Sequence, residues 1–296
     1  MTKLEYRLTN DTLFKMLFVK YPDLLKKLTA VLLGIKLESI GEFNITNPEM
    51  PPETLGDKFS RLDINMTVDG QRVNLEVQVD DLGDYPVRSL YYWAREYSSA
   101  LAAGVTYSEL PRTLVVSIVD FRLFDCAEYH SEFQALEVTR HTRLSDRFGL
   151  HYFELPKLPA VVTKDNELGM WLSLFKARTE EDFRQLEGLE VPFVEQTLEA
   201  YRNITATDEF KELERMRSLA RHNEASALKH AREQEREKWQ GVVADKDAVI
   251  TDQAAVITEQ KAENEKKDVA LVEKDTALAE KEALIAELMA RLGEKK

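Results

Sequence analysis

The sequence predicts a mixed α/β or α+β domain followed by one long helix, and three observations predict it. Up to residue 205, aromatic residues, prolines and β-branched runs alternate in the order α-β-β-β-α-β, with helices added after. TLVVSIV at 113–119 is a continuous apolar run bounded by Pro111 and Asp120, the pattern of a strand buried on both faces. Beyond residue 205 there is no proline, and glycine occurs only at Gly241 and Gly293, so this stretch reads as helix. The expected domains are therefore 1–205 and 206–296.

In the first part a helix is expected over Asn10–Val19, with Thr9 or Asn10 as cap. A second runs Pro22–Leu33, with proline in its first turn and Gly34 closing it. Strands follow at Ser39–Ile45, Arg61–Val68 and Gln71–Val79, then a helix from Tyr85 to Ala103. After Thr113–Val119 come strands near Glu132–Arg140 and Gly149–Leu155, and helices at Asn166–Lys176 and Pro192–Tyr201.

The tail from Asp245 can be written in sevens. One place in each heptad holds Ile250, Ile257, Asn264, Leu271, Leu278, Ile285 and Leu292. A seven-residue apolar recurrence favours a left-handed supercoil. The usual second apolar row is replaced by Lys, Gln and Asp, so the seam is narrow. Two readings stand: an oligomerising or spacing coiled coil, and a solvated helix. Asn264 either fixes register or interrupts the stripe.

Composition excludes several classes. The chain has 296 residues, 44% apolar and 31% charged, with net charge −13. Residues 1–206 are themselves acidic, so nucleic-acid binding would need a local basic patch. No apolar run reaches the ~18 residues of a membrane span, and no signal peptide is read at the start. The single cysteine, Cys126, excludes an internal disulfide and a cysteine zinc cluster and suits a reducing cytoplasm. HExxH, GxGxxG, GxxxxGK[ST] and GxSxG are absent, and none of the five histidines forms a zinc pattern. Trp93, Trp171 and Trp239 read as packing residues.

The most informative segment is RLDINMTVDGQRVNLEVQV, Arg61–Val79. Asp69-Gly70 between two alternating runs signals a two-residue hairpin turn, and the turn fixes the register. Leu62, Ile64 and Met66 then face Val77, Leu75 and Val73 on an apolar side. The other side sets Arg61, Asp63, Asn65 and Thr67 against Gln78, Glu76, Asn74 and Arg72. Asp63 falls opposite Glu76, where two like charges destabilise each other unless a divalent cation bridges them. The alternative is a polar face paired with Arg61 and Arg72.

Asp on one strand and Glu-x-Gln on its hairpin partner, after an N-terminal helix, resembles the PD-(D/E)XK nuclease site. NDTLFKMLF, SRLDINMTVDG, VNLEVQ and RSLYYWAREYSSAL, in that order, resemble the Rpn family of recombination-promoting nucleases over roughly residues 5–160. The resemblance implies a PD-(D/E)XK nuclease-like core, an α-β-β-β-α-β mixed sheet flanked by helices, followed by a coiled-coil-like tail. It implies a Mg²⁺-dependent DNA endonuclease, with Mn²⁺ as substitute, acting in bacterial recombination or mobile-element processing. Asp63 and Glu76 would hold the metal with the Val77 carbonyl. Gln78 stands where the nuclease lysine is expected and would position water or phosphate without charge. Arg61, opposite Gln78, would supply that charge. Leu62 replaces the proline of the superfamily's name.

Asp11 and Lys15 lie four apart on the first helix, an ordinary ion-pair spacing; the resemblance also sets them near the site. Arg88, Tyr91, Tyr92 and Arg95 recur at three and four, so basic and aromatic groups would share one face, either touching DNA or packing with arginine heads in solvent. The competing function is a catalytically weak or inactive nuclease fold that acts as an interaction or homo-oligomerisation module through its tail. The acidic body and Gln78 favour that alternative.

Overall fold

The computed structural model describes residues 2–47, 63–101 and 106–293. Helix α1 (Asp11–Lys20) starts where the sequence places it because Asn10 caps it, its side chain accepting from Leu13 N at 2.9 Å. Helix α2 (Pro22–Leu33) begins on proline and ends at Gly34, whose φ of 65° is the left-handed conformation that glycine tolerates. Strands β1 (Phe43–Ile45), β2 (Ile64–Val68) and β3 (Gln71–Gln78) follow. Asp69 and Gly70 take φ of 48° and 75°, as a tight hairpin turn requires, and the register is the predicted one: Val68 with Gln71, Met66 with Val73, Ile64 with Leu75.

Helix α3 (Tyr85–Ser99) carries the chain across to β4 (Thr113–Val119), which runs parallel to β3; β5 (His130–Phe133) and β6 (Phe148–Glu154) complete the sheet. The order is β1-β2-β3-β4-β6-β5, with the β3–β4 and β4–β6 pairs parallel and the other three pairs antiparallel. Every residue of β4 is buried, so the continuous apolar run is a central strand. Leu114, Val116 and Ile118 belong to the main core with residues of α1, α2 and later helices. Val115 and Val119 join Tyr85, Leu150 and Tyr152 in a smaller core on the other face.

Helices α4 (Glu167–Lys176), α5 (Glu180–Glu187), α6 (Pro192–Ala206) and α7 (Asp208–Gly293) follow. The α5 helix was not expected. Its signature is the capping box of Thr179 and Asp182, each side chain accepting from the other's backbone amide. The strand expected at Ser39–Ile45 shrinks to Phe43–Ile45, because the amides of Gly41 and Glu42 bond the Asp69 carboxylate at 2.9 and 2.8 Å instead of a neighbouring strand. The strand expected at Glu132–Arg140 is His130–Phe133. Glu137 takes the amides of Thr139 and Arg140 into a turn, and His141 adopts φ of 54°. The helix after the hairpin ends at Ser99, short of Ala103, which lies outside the described residues.

The chain divides into two compact units, Met1–Arg221 and His222–Lys296. The first takes in the root of α7. Phe210 is fully buried with its ring edge-on to Tyr6 at 4.8 Å, and Glu214 and Arg217 are buried too. Within the second unit the heptad residues Ile250, Ile257, Leu271, Leu278 and Ile285 are all more than half exposed. Among the described residues no helix is long and apolar enough to cross a membrane.

Candidate active site

The hairpin and α1 build one open pocket of about 530 Å³ at the carboxyl end of β3. In open α/β sheets this end of the strands is where ligands bind. Asp11, Asp63, Glu76 and Gln78 all line it, with Thr9 and Asn10 from the start of α1. The described ladder begins at Ile64 with Leu75, so Asp63 stands just before β2 rather than inside it. Its carboxylate nevertheless reaches the same pocket as that of Glu76.

Polar partners fix both carboxylates. Asn74, one alternation before Glu76 on the same face, donates from Nδ2 to Asp63 Oδ2 at 2.5 Å and to Asn65 Oδ1 at 2.7 Å. The Asp63 carbonyl accepts from Asn47 Nδ2 at 3.0 Å and from Lys15 Nζ at 3.3 Å. Glu76 is 6% exposed, and its Oε2 accepts from the Tyr85 hydroxyl at 3.1 Å. That hydroxyl also lies 2.9 Å from Ser117 Oγ. Burial, and then the Glu76 carboxylate, push the Tyr85 phenol well above its usual range, which keeps it a neutral donor.

Gln78 does not hang loose. Its Nε2 donates one hydrogen to the Asp80 carbonyl at 2.9 Å, which leaves the second N–H and Oε1 of the amide outside that bond. Arg61 lies outside the described residues. Lys15 is 1% exposed, so its side chain is buried rather than displayed on the outside of α1.

The proposed basic–aromatic face of α3 divides. Tyr92 is buried at 5% exposure, whereas Tyr91 is 52% exposed, so the two tyrosines do not share one solvent face. Tyr92 and Arg95 line a smaller cavity of about 140 Å³ with Asp63, Asn74, Glu76 and Glu96. Burial raises the Glu96 carboxyl above its ordinary value, Arg72 opposing and Asp63 adding to the rise. The Arg88 guanidinium sits 5.0 Å from the centre of the Tyr85 ring.

Sequence reasoning missed four contributors. Asn74 and Tyr85 hold the carboxylates; the first was visible as a member of the polar hairpin face, the second carried no signal. Glu214 and Arg221, from the root of α7, line the main pocket. With Phe210 and Arg217 they recur at four, three and four, a helical stripe.

The donor set suits a hard divalent cation. Two carboxylates converge on one pocket, and Asn74 Oδ1, next to them, is a buried oxygen with no hydrogen-bond partner among the described residues. Among those residues no group of three or more His, Cys, Asp or Glu forms a metal cluster. Mg²⁺ needs only one or two carboxylates, because it keeps most of its water. Acidic side chains outnumber basic ones in the pocket wall; its cations are Arg7, whose NH1 is held by Asp120 at 2.7 Å, and Arg221.

Compared with known proteins, residues 8–231 match the family model described as PD-(D/E)XK nuclease family transposase. No curated protein and no solved structure matches the chain.

Proposed function

We propose, from the premise that the chain belongs to the PD-(D/E)XK nuclease transposase family, that it is a divalent-metal-dependent DNA endonuclease serving recombination or mobile-element processing. The observation that carries this reading is the convergence of Asp63, Glu76 and Gln78 on one open pocket at the carboxyl end of β3. Asp63 and Glu76 are the metal ligands in this reading, with the Val77 carbonyl, and Mg²⁺ is the ion such oxygen donors favour, Mn²⁺ its substitute. When bound, the cation supplies a water of lowered pKa and offsets charge on the scissile phosphate.

The chain's own residues do the rest. Asn74 and Tyr85 orient the two carboxylates. Gln78, tied to Asp80 by one N–H, would position water or phosphate with the rest of its amide. Lys15 is a fixed positive charge behind Asp63, a place the uncharged Gln78 leaves to another residue. Asp11, which lines the pocket, and Arg88 and Arg95, on α3, are the outer contacts in this reading, while the buried Tyr92 takes no part in touching DNA.

Nicking of supercoiled plasmid tests the reading. Wild type cuts with Mg²⁺ and is silent with EDTA, and Asp63→Ala is silent in both. Equal cutting by both proteins sinks it.

A second reading, a weak or inactive nuclease fold acting through its tail, draws on one observation: one of the two N–H groups of the Gln78 amide is taken by the Asp80 carbonyl. Wild-type silence beside tail-dependent self-association would favour it.

A further inference from the structure

The root of α7 belongs to the active-site pocket as well as to the core. The residues that face the globular unit are Phe210, Glu214, Arg217 and Arg221, at helical spacings of four, three and four. Phe210 at 0%, Glu214 at 9% and Arg217 at 5% exposure are buried, and Arg221 is the last residue of the compact unit. Helical side chains lean toward the amino terminus. Arg221 accordingly reaches back two turns, and its NH2 meets Glu214 Oε1 at 2.6 Å. Glu214 keeps 11% of its side chain accessible, whereas 48% of the Arg221 side chain remains open to solvent.

Both residues line the pocket that holds Asp63, Glu76 and Gln78. The other arginine there is committed elsewhere. Arg7 gives NH1 to Asp120 at 2.7 Å and points Nε and NH2 at the carbonyls of Ala177 and Phe175, each at 3.3 Å. An anion entering this acidic pocket therefore meets Arg221 as its accessible guanidinium. A guanidinium held at one nitrogen by a carboxylate keeps its remaining N–H groups in a fixed fork, suited to a phosphate diester.

We propose that Arg221, steered by Glu214, is a phosphate-binding residue of the active site, and that its ligand is a backbone phosphate of the DNA. The inference rests on the nuclease reading for the identity of the substrate, but it concerns binding and not the cutting step. Arg221 neutralises one phosphate beside the metal ligands, and Glu214 sets where the guanidinium points.

The test is fluorescence anisotropy of the full chain with a fluorescein-labelled duplex in Ca²⁺, over a series of salt concentrations. Arg221→Ala is expected to weaken binding about tenfold, equally for unrelated sequences, and to lower the slope of log affinity against log salt by about one. Arg221→Lys is expected to keep the slope, because the charge remains, while losing part of the affinity. Glu214→Gln is expected to keep the slope and weaken binding less than Arg221→Ala. Thermal melts of each variant check folding, and the salt slope is a quantity that a purely structural arginine would not move.

An Arg221→Ala protein that melts like wild type and binds with an unchanged slope overturns the proposal. So does an Arg221→Lys protein with the slope of Arg221→Ala, or a wild type with no affinity for the duplex. Plasmid nicking in Mg²⁺ separates the two readings. Wild type that binds with an Arg221-dependent slope but never cuts fails as a nuclease and keeps this phosphate site. Cutting that needs Asp63, beside an unchanged slope in Arg221→Ala, fails the phosphate site alone.

Discussion

Lys15 Nζ lies 3.3 Å from the main-chain carbonyl of Asp63, and the lysine is 1% exposed. A buried ammonium has to be balanced by anions and acceptors, or its desolvation opposes folding. The Asp63 carbonyl is one such acceptor, and it belongs to a residue whose carboxylate lines the pocket with that of Glu76. The first helix thereby holds the residue that precedes β2, and the carboxylate of that residue enters the pocket.

Replacing Lys15 should damage fold and site together. Lys15→Met removes the bond to the Asp63 carbonyl and a buried charge, and is expected to cost on the order of 2–4 kcal/mol. Nicking should fall further than the loss of folded protein explains. Lys15→Arg is not expected to rescue, since the planar fork does not fit a space closed around an ammonium. Urea melts alongside plasmid nicking check this; wild-type stability and nicking in Lys15→Met would refute it.

The hairpin was legible in the sequence because Asp69-Gly70 fixes both turn and register, and alternation then assigns every side chain to a face. TLVVSIV was legible because a strand buried on both faces has no polar positions. The partners of the carboxylates were not. Lys15 reaches Asp63 across 48 residues, and local periodicity cannot tell a buried helix lysine from an exposed one. Tyr85 gives no hint that its hydroxyl meets Glu76, because that contact depends on how α3 crosses the sheet. Arg221 sits in a stretch that reads simply as helix, and the packing of Phe210 against Tyr6, which helps seat its stripe, joins residues far apart in the sequence. The strand expected through Arg140 failed for a local reason, the Glu137 side chain competing for backbone amides.

Tyr85→Phe should weaken metal use without unfolding the protein. The variant keeps the ring that packs edge-on to Tyr152 and Phe121 and loses only the hydroxyl shared by Glu76 and Ser117. Stability should drop about 1–2 kcal/mol, the cost of leaving buried polar groups short of a partner. Metal affinity should fall on the order of 10–100-fold, as when a group that orients a metal ligand is removed. The Mg²⁺ concentration for half-maximal nicking reads this directly. An unchanged midpoint would mean that Tyr85 only packs.

The heptad stripe of α7 predicts self-association. Ile250, Ile257, Leu271, Leu278 and Ile285 are more than half exposed along one helix, an arrangement that a second copy can cover. In analytical ultracentrifugation the full chain should sediment as a dimer or larger. The double variant Leu271→Glu, Leu278→Glu should be a monomer with the same thermal transition for its globular unit. If wild type is already monomeric at tens of micromolar, the stripe has no oligomerising role.

The histidine pair of the sheet edge should make the fold acid-sensitive. His130 and His151 stack with rings 5.5 Å apart, and Nε2 of one lies 3.2 Å from Nδ1 of the other. Burial lowers the His151 pKa from 6.5 to about 4, opposed by Glu132 and helped by His130, and burial also lowers that of His130. The unfolded chain therefore takes up protons that the folded one refuses. Stability is full above pH 6.5 and declines as pH falls toward 4, where the folded ring protonates. The loss assigned to His151 is on the order of 2–3 kcal/mol. Urea melts at pH 7.5 and pH 4.5 should show this decrease in wild type and a smaller one in His151→Gln, whose side chain does not titrate. Equal decreases in the two proteins would place the acid sensitivity elsewhere.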